Sequence, residues 1–311
     1  MPSYRFAIVD VFTDTPLQGN QLAVFTDARN IPEEQLQALA LEMGFSETVF
    51  VYPSGFRTPS EQARAGTADA GNALQTDEST FVLPAEQGGH ARMRIFTPQL
   101  EVPFAGHPTL GTAFVLAAPL QLDEIRLETG RGIVPVRLER DGARIVFGRM
   151  EQPLPTIEPF DRVDELLAGL GVERSELPVE VYDNGIRHVY VALRSEAEVA
   201  ALRPDLRAFT DGGDIGINTF AGSGTRWKTR MFAPYHGVAE DPATGSAAGP
   251  LALHLARHGR IPFGDEIEVT QGVEIERPSK LFARVEGSAD EVTRIEVGGS
   301  AVVVARGEFR L

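Results

Sequence analysis

The chain has no cysteine at all. That excludes disulfides, thiolate metal sites, thiol nucleophiles and racemisation by a pair of thiols. Lysine is almost as scarce: Lys228 and Lys280 are the only two. Neither follows a glycine-rich phosphate loop, so a Schiff-base or nucleotide-cradling lysine is not indicated. Positive charge is short overall, with 29 basic against 44 acidic residues and a formal charge of −15. A field of that sign repels phosphate backbones and anionic lipid, so neither nucleic acid nor a membrane surface is expected as a partner. No apolar run approaches the ~18–20 residues that span a bilayer. The start, Met1-Pro2-Ser3-Tyr4-Arg5, lacks the basic stretch and apolar core of a signal peptide, so the expected location is the cytoplasm. What remains for chemistry is carboxylates, six histidines, hydroxyls and backbone dipoles.

With 311 residues, 42% of them hydrophobic, the chain reads as soluble and globular, with two domains or one large one. Tyr4 to Phe12 alternates as a strand, and Asn20 to Phe25 reads as a second, with Pro16 and Gly19 marking the turn between them. Asn30 and Pro32 open a helix carried by Leu36, Leu39, Ala40 and Met43 and stopped by Gly44. Glu47 then opens the apolar strand Thr48-Val49-Phe50-Val51. From Pro53 to Asp77 periodicity fades into Gly, Ala, Thr, Ser and Gln, as in an inserted loop. Beyond it Glu78-Ser79-Thr80-Phe81-Val82 echoes Glu47 to Val51, and a hairpin is expected at Gly88-Gly89. Later, Asp161 to Leu170 reads as a short helix, Val189 to Leu193 as a strand, and Gly212 to Gly216 as a loop. Alternating strands and helices of this density mean an α/β or α+β protein.

An internal repeat says more. Arg94-Ile95-Phe96-Thr97-Pro98 is matched by Arg230-Met231-Phe232-Ala233-Pro234. Downstream, His107-Pro108-Thr109-Leu110-Gly111-Thr112-Ala113 is matched by Asp241-Pro242-Ala243-Thr244-Gly245-Ser246-Ala247, and each copy runs into an apolar helical stretch. Two similar halves follow, residues 1–150 and 151–300, with the β-branched tail at 301–311 returning to the first half. Pro108 and Pro242 are placed at the first position of a helix. Asp241 alone would read as an N-cap, but histidine caps poorly, so His107 does not share that explanation. Two helix starts facing one cleft would aim free N–H groups and positive dipole ends at a small anion, a carboxylate above all. Gly106, Gly111 and Gly245 would allow close backbone approach. Glu47, beside an apolar wall, would be desolvated and raised in pKa, suited to proton abstraction near neutral pH, although a plain exposed strand-end carboxylate fits that position too. His254 and His258 have a chelating spacing without a third ligand in view, and they read as structural, so no metal is expected. Arg226 to Arg230 reads as a solvated strand face.

Several blocks resemble one family over nearly the whole chain. They are Gly19-Asn20 with Ala23-Val24-Phe25, Glu42-Met43 with Ser46-Glu47-Thr48, Arg94 to Pro98, and Pro103-Phe104-Ala105-Gly106-His107-Pro108. To these add Asn218 with Phe220-Ala221-Gly222, and Glu240-Asp241 with Ala243 through Pro250. The sequence resembles the PhzF family of phenazine biosynthesis. The resemblance implies an α+β, diaminopimelate-epimerase-like fold with two pseudo-symmetric domains, each a sheet wrapped around a central helix. It also implies a homodimer and cofactor-free isomerisation of trans-2,3-dihydro-3-hydroxyanthranilate. By that likeness Glu47 moves a proton from C3 to C1, and His107 and Asp241 hold the substrate and shape the transfer. Gly106, Gly245 and Ser246 then supply donors to its carboxylate. Cysteine-dependent relatives place thiols where His107 and Asp241 stand here. The family lacks the roughly thirty residues that separate the two copies of the glutamate motif. Glu47 keeps the family distance to the preceding helix and Glu78 the distance to the following hairpin; the tight helix-to-strand turn favours Glu47 as the base. Two other readings stay open: an isomerase or epimerase of the same fold acting on another small amino or hydroxy acid, and a non-catalytic dimeric metabolite binder.

Overall fold

A computed structural model of the chain describes residues 1–57, 88–210 and 213–311. Strand β1 (Ser3–Val11) alternates inward through Ala7, Val9 and Val11 and turns into β2 (Asn20–Phe25). Gly19 closes that turn at φ +69°, where a Cβ would lie 2.6 Å from Thr13 Cγ2. Helix α1 (Glu33–Met43) buries Leu36, Leu39 and Ala40 and ends on Gly44 in the left-handed region. Pro32, not Asn30, stands at its N-cap. The Asn30 carbonyl instead accepts from the Tyr4 hydroxyl at 3.2 Å. The left-handed stop at Gly44 throws the chain straight into β3 (Glu47–Pro53), which pairs antiparallel with β4 (Ala91–Phe96). Glu78 and most of the inserted stretch with its motif echo lie outside the described residues, as does much of the connection expected to turn at Gly88-Gly89. The first half continues through β5 (Glu101–Val102), α2 (Gly106–Leu120), β6 (Glu124–Thr129), β7 (Gly132–Asp141) and β8 (Arg144–Glu151).

The second half runs β9 (Thr156–Pro159), α3 (Val163–Leu170), β10 (Glu180–Asp183), β11 (Arg187–Ala192), α4 (Glu196–Ala201) and α5 (Arg207–Thr210). It goes on through β12 (Gly216–Ser223), β13 (Arg226–Ala233), β14 (Val238–Asp241), α6 (Gly245–Arg257), β15 (Glu266–Gln271), β16 (Ser279–Gly287), β17 (Val292–Gly299) and β18 (Ala301–Arg310).

Pairing follows the sequence repeat. In the first half β2 lies parallel to β3, β3 antiparallel to β4, β4 parallel to β6, and β6, β7 and β8 are antiparallel neighbours. In the second, β11 lies parallel to β12, β12 antiparallel to β13, β13 parallel to β15, then β15, β16 and β17 are antiparallel. Each parallel step β4–β6 and β13–β15 needs a crossover, and α2 and α6 supply them. The last strands of the two series, β8 and β17, pair with each other and join the halves. The tail does pair with the first strand: β18 lies antiparallel to β1, Ser3 opposite Arg310 and Val11 opposite Ala301.

Both crossover helices are apolar around most of their circumference, which suits a helix enclosed by sheet on all sides. Residues Gly106 to Ala117 of α2 are all buried, and so are Gly245 to Ala256 of α6. Gly111 lets α2 lie against β1 and β2, since a Cβ there would sit 2.7 Å from Leu22 Cδ2 and from Val11 Cγ2. Among the described residues no helix is long and apolar enough to cross a membrane.

The expected solvated face at Arg226 to Arg230 is not what the strand presents. Trp227 and Arg230 are buried, and Lys228 pairs with Glu274 at 2.8 Å. Arg230 grips Glu240 with two nitrogens, at 2.9 and 2.7 Å, and reaches the Leu202 carbonyl at 2.9 Å. A buried guanidinium left alone is expensive, so Glu240→Ala is expected to destabilise the fold by about 3–5 kcal/mol. Urea unfolding checks this; a change below ~1 kcal/mol would show the pair to be solvated.

Candidate active site

The site lies where the two crossover helices begin. Helix α2 starts at Gly106 after the N-cap Ala105, and α6 at Gly245 after Thr244; neither cap side chain bonds the helix. Pro108 is thus the third residue of its helix, and Pro242 precedes its helix altogether. Asp241 is not the N-cap; it ends β14, and its Oδ2 accepts from the Thr244 hydroxyl at 2.6 Å. The two starts abut. A Cβ on Gly106 would meet the Gly245 carbonyl carbon and lie 2.5 Å from Ser246 N and 2.8 Å from Gly245 Cα. First-turn N–H groups have no partner inside their own helices, so those of Gly106, His107, Gly245 and Ser246 converge with two positive dipole ends. Such an arrangement of N–H groups is chemically able to receive a small anion, a carboxylate among them.

Glu47 reaches the same place from another direction. The parallel register of β2 and β3 sets Glu47 opposite Leu22, so Ser46 and Glu47 flank Asn20 at the strand starts. His107 Nδ1 lies 3.6 Å from Glu47 Oε2. Asn20 ties the rest together. Its amide nitrogen donates to Asp241 Oδ1 at 2.8 Å and to the Ala243 carbonyl at 2.9 Å, and it lies 3.3 Å from His107 Nδ1. Its oxygen accepts from the Ser46 hydroxyl at 3.0 Å. Gln271 braces the other side, donating to the Asp241 carbonyl and to Thr244 Oγ1 at 2.8 and 2.9 Å. The structure therefore brings Glu47, His107, Asp241, Gly106, Gly245 and Ser246 together where the two helices begin.

Burial dominates the electrostatics. Glu47 is pushed up from an ordinary 4.5 to about 8, first by burial and then by the charge of Asp241, with a hydrogen bond from Ser46 opposing. Asp241 is also raised by burial, against hydrogen bonds from Thr244, Asn20 and Ser46. Burial pulls His107 down to about 3, so its imidazole is neutral. Glu47 Oε2 and His107 Nε2 are buried without a hydrogen-bond partner among the described residues. Unpaired buried polar atoms at one cleft are what a reacting group requires. Since Asn20 satisfies Asp241, Asn20→Ala is expected to cost about 1–3 kcal/mol and to raise the Asp241 carboxyl further. Chemical denaturation and the pH dependence of activity check the two effects.

Sequence reading took Asn20 and Asn218 as motif matches and nothing more, and gave no part to Gln271, Gln152 or His188. Gln152 donates to the Gly245 carbonyl at 2.8 Å. His188 Nε2 lies 3.0 Å from Ser246 Oγ. The available signal was a polar residue at the head or end of an apolar strand run. His254 on α6 and His258 at its C-cap do come together, and a third group is in fact nearby: Glu180 Oε2 lies 3.2 Å from His254 Nδ1 and 2.9 Å from His258 Nε2. The same oxygen takes Arg257 Nη1 at 3.0 Å and the Tyr182 hydroxyl at 3.0 Å. A cation already seated on that oxygen makes this an ion-pair network fastening α6 to β10.

Known proteins share this sequence pattern and fold. The profile of the phenazine biosynthesis-like protein family, PhzC-PhzF, matches residues 9–70 and 67–307. The two pieces overlap inside the stretch bearing the duplicated glutamate motif. The trans-2,3-dihydro-3-hydroxyanthranilate isomerase of Pseudomonas aeruginosa is 48% identical over 308 residues, covering 99% of this chain and 100% of that protein. A phenazine biosynthesis protein of the PhzF family from Bacillus anthracis superposes with a TM-score of 0.78 at 25% identity, each chain covered completely. A hydroxyproline epimerase from Agrobacterium vitis shares the fold, with a TM-score of 0.62 at 10% identity over 98% of this chain and 92% of that one. The fold is thus α+β and diaminopimelate-epimerase-like. Its paired crossover helices and its full-length likeness agree: the chain belongs to the PhzC-PhzF, phenazine biosynthesis-like family.

Proposed function

We propose that this chain is an isomerase converting trans-2,3-dihydro-3-hydroxyanthranilate into the aminoketone precursor of phenazines, with Glu47 as the proton carrier and no cofactor. The observation that carries the reading is the 48% identity over the full length to an isomerase of that name. The cleft supports it chemically. In the substrate the remaining double bonds, C4=C5 and C6=C1, are conjugated, so the C3 hydrogen is allylic. Ionised Glu47 takes that proton, and the electron pair spreads over C3, C5 and C1. The C1 end adjoins the carboxylate, where the N–H groups of Gly106, His107, Gly245 and Ser246 hold the growing charge. Glu47 returns the proton at C1, leaving an enol at C3 that tautomerises to the ketone; atoms and electrons balance without a redox partner. His107 and Asp241 hold the amino and hydroxyl groups and keep C3 and C1 within reach of one carboxylate.

The working form of this reading is a cytoplasmic homodimer, which light scattering and cell fractionation would check. The function is tested by incubating purified protein with trans-2,3-dihydro-3-hydroxyanthranilate in buffer treated with a chelator and following the ring protons by NMR. Appearance of the aminoketone supports it. A folded protein that leaves the compound unchanged rules out that substrate and directs attention to other small amino or hydroxy acids.

A further inference from the structure

Ser246 is the second residue of α6, and its side chain is almost wholly enclosed. Its hydroxyl oxygen has one partner among the described residues, His188 Nε2 at 3.0 Å. His188 is the second residue of β11 and is fully buried, in a strand where Val189, Tyr190 and Val191 are core. Its other nitrogen, Nδ1, lies 3.3 Å from the amide nitrogen of Asn218 on the neighbouring parallel strand β12. The direction of that amide is not free. Asn218 Nδ2 also faces the carbonyls of Gly216 at 3.2 Å and Val189 at 3.4 Å. Turning the amide over would set its oxygen against both carbonyls, so the nitrogen belongs where it is.

An amide nitrogen cannot accept a hydrogen bond, so a proton on Nδ1 would face it without a partner, and Nδ1 is the nitrogen left bare. Burial and the charge of His236 hold His188 down at about 3, so the ring is neutral and its single proton sits on Nε2. Nε2–H then donates to Ser246 Oγ, and the serine must direct its own hydrogen elsewhere. Ser246 stays in register because Asn184 donates to its backbone carbonyl at 2.9 Å. Gly216 gives the imidazole its space: a Cβ there would lie 2.8 Å from His188 Nδ1.

We propose that Asn218 and His188 act in series as positioning residues, fixing the imidazole tautomer so that Ser246 presents its hydroxyl as a hydrogen-bond donor to the substrate carboxylate. Without them Ser246 could turn its hydrogen onto a protein acceptor and offer the anion lone pairs, which repel it. This inference rests on the reading of the cleft as an isomerase site, but its tests do not all depend on that substrate. Nitrogen-15 NMR of the histidine rings, with His188→Gln assigning the signal, is expected to show the Nε2–H tautomer across neutral pH. His188→Leu, which removes the donor, is expected to lower kcat/KM by roughly tenfold or more. His188→Gln places an amide N–H near the position of Nε2 and is expected to recover most of that loss. In a Ser246→Ala background, His188→Leu should do no further harm, because there is no hydroxyl left to orient.

An Nδ1–H signal would overturn the proposal, and so would losses that multiply in the double variant, which indicate a merely structural histidine. Anthranilate binding by calorimetry separates the two readings. If the wild type binds anthranilate but turns over no dihydrohydroxyanthranilate, the isomerase reading fails. The positioning pair then stands if His188→Leu weakens anthranilate roughly tenfold and His188→Gln restores it, and falls if neither changes. Should His188→Leu not fold, the tautomer and the Gln variant still decide.

Discussion

Glu47→Gln is expected to cut turnover by roughly 10²–10⁴-fold and yet to leave a more stable protein at alkaline pH. Both effects come from the same burial. The carboxyl is raised to about 8 because its ionised form is poorly solvated and faces Asp241. A carboxyl raised on folding stabilises the native chain while it is protonated. That contribution is fully present below the unfolded value near 4.5 and is lost as pH rises through about 8. Glutamine removes the loss, so thermal unfolding should show little difference between wild type and variant at pH 4 and an advantage of a few kcal/mol for the variant near pH 9. The same shift governs activity. Free enzyme must ionise Glu47 before it can accept a proton, so kcat/KM should climb with pH to a plateau above about 8. Asp241→Asn removes the charge that helps raise Glu47, and should move that limb to lower pH while lowering the plateau through weaker substrate placement. A limb at ordinary carboxylate pH in the wild type would mean that Glu47 is solvated and is not the base.

The second large effect is expected from one methyl group. Gly106→Ala brings its Cβ to 2.5 Å from Ser246 N and 2.8 Å from Gly245 Cα. Those are backbone atoms at the start of a buried helix, which cannot swing aside as a side chain would. The two helix starts must part, at about 1–3 kcal/mol of strain. The larger consequence is for the proposed carboxylate site, whose N–H groups would lose their common focus; misplacement by about an ångström costs on the order of a hundredfold in rate. Steady-state kinetics with circular dichroism as the folding control checks this. An alanine variant with unchanged KM and kcat would show that the close approach of α2 and α6 does not shape the carboxylate receptor.

Much of this arrangement was legible in the chain, and the legible part has a common cause. The repeated blocks at Arg94–Pro98 with His107–Ala113, and at Arg230–Pro234 with Asp241–Ala247, are local strand-to-helix crossovers, written in contiguous residues. Periodicity and punctuation find such features, as they found α1 with its Gly44 stop and the β-branched tail. What escaped was set by contacts distant in sequence. Asn20 meets Asp241 across 221 positions, and Glu180 meets His258 across 78; no local pattern announces either. Arg230 was misread for the same reason, since only the folded β13–β14 ladder reveals Glu240 as its partly buried partner. The choice between Glu47 and Glu78 depended on which copy follows a tight helix-to-strand turn. Glu47 lies 3.6 Å from His107, and Glu78 lies outside the described residues, so the choice itself is left to experiment.

Turnover of trans-2,3-dihydro-3-hydroxyanthranilate in D2O, compared between wild type, Glu47→Gln and Glu78→Gln, tests the central claim most directly. Glu47, exchanging with solvent between abstraction and return, should place deuterium at C1 of the product in the wild type and in the Glu78 variant, and Glu47→Gln should form neither product nor labelled substrate. Labelled product from Glu47→Gln at the wild-type rate, or its loss in Glu78→Gln alone, would contradict the account.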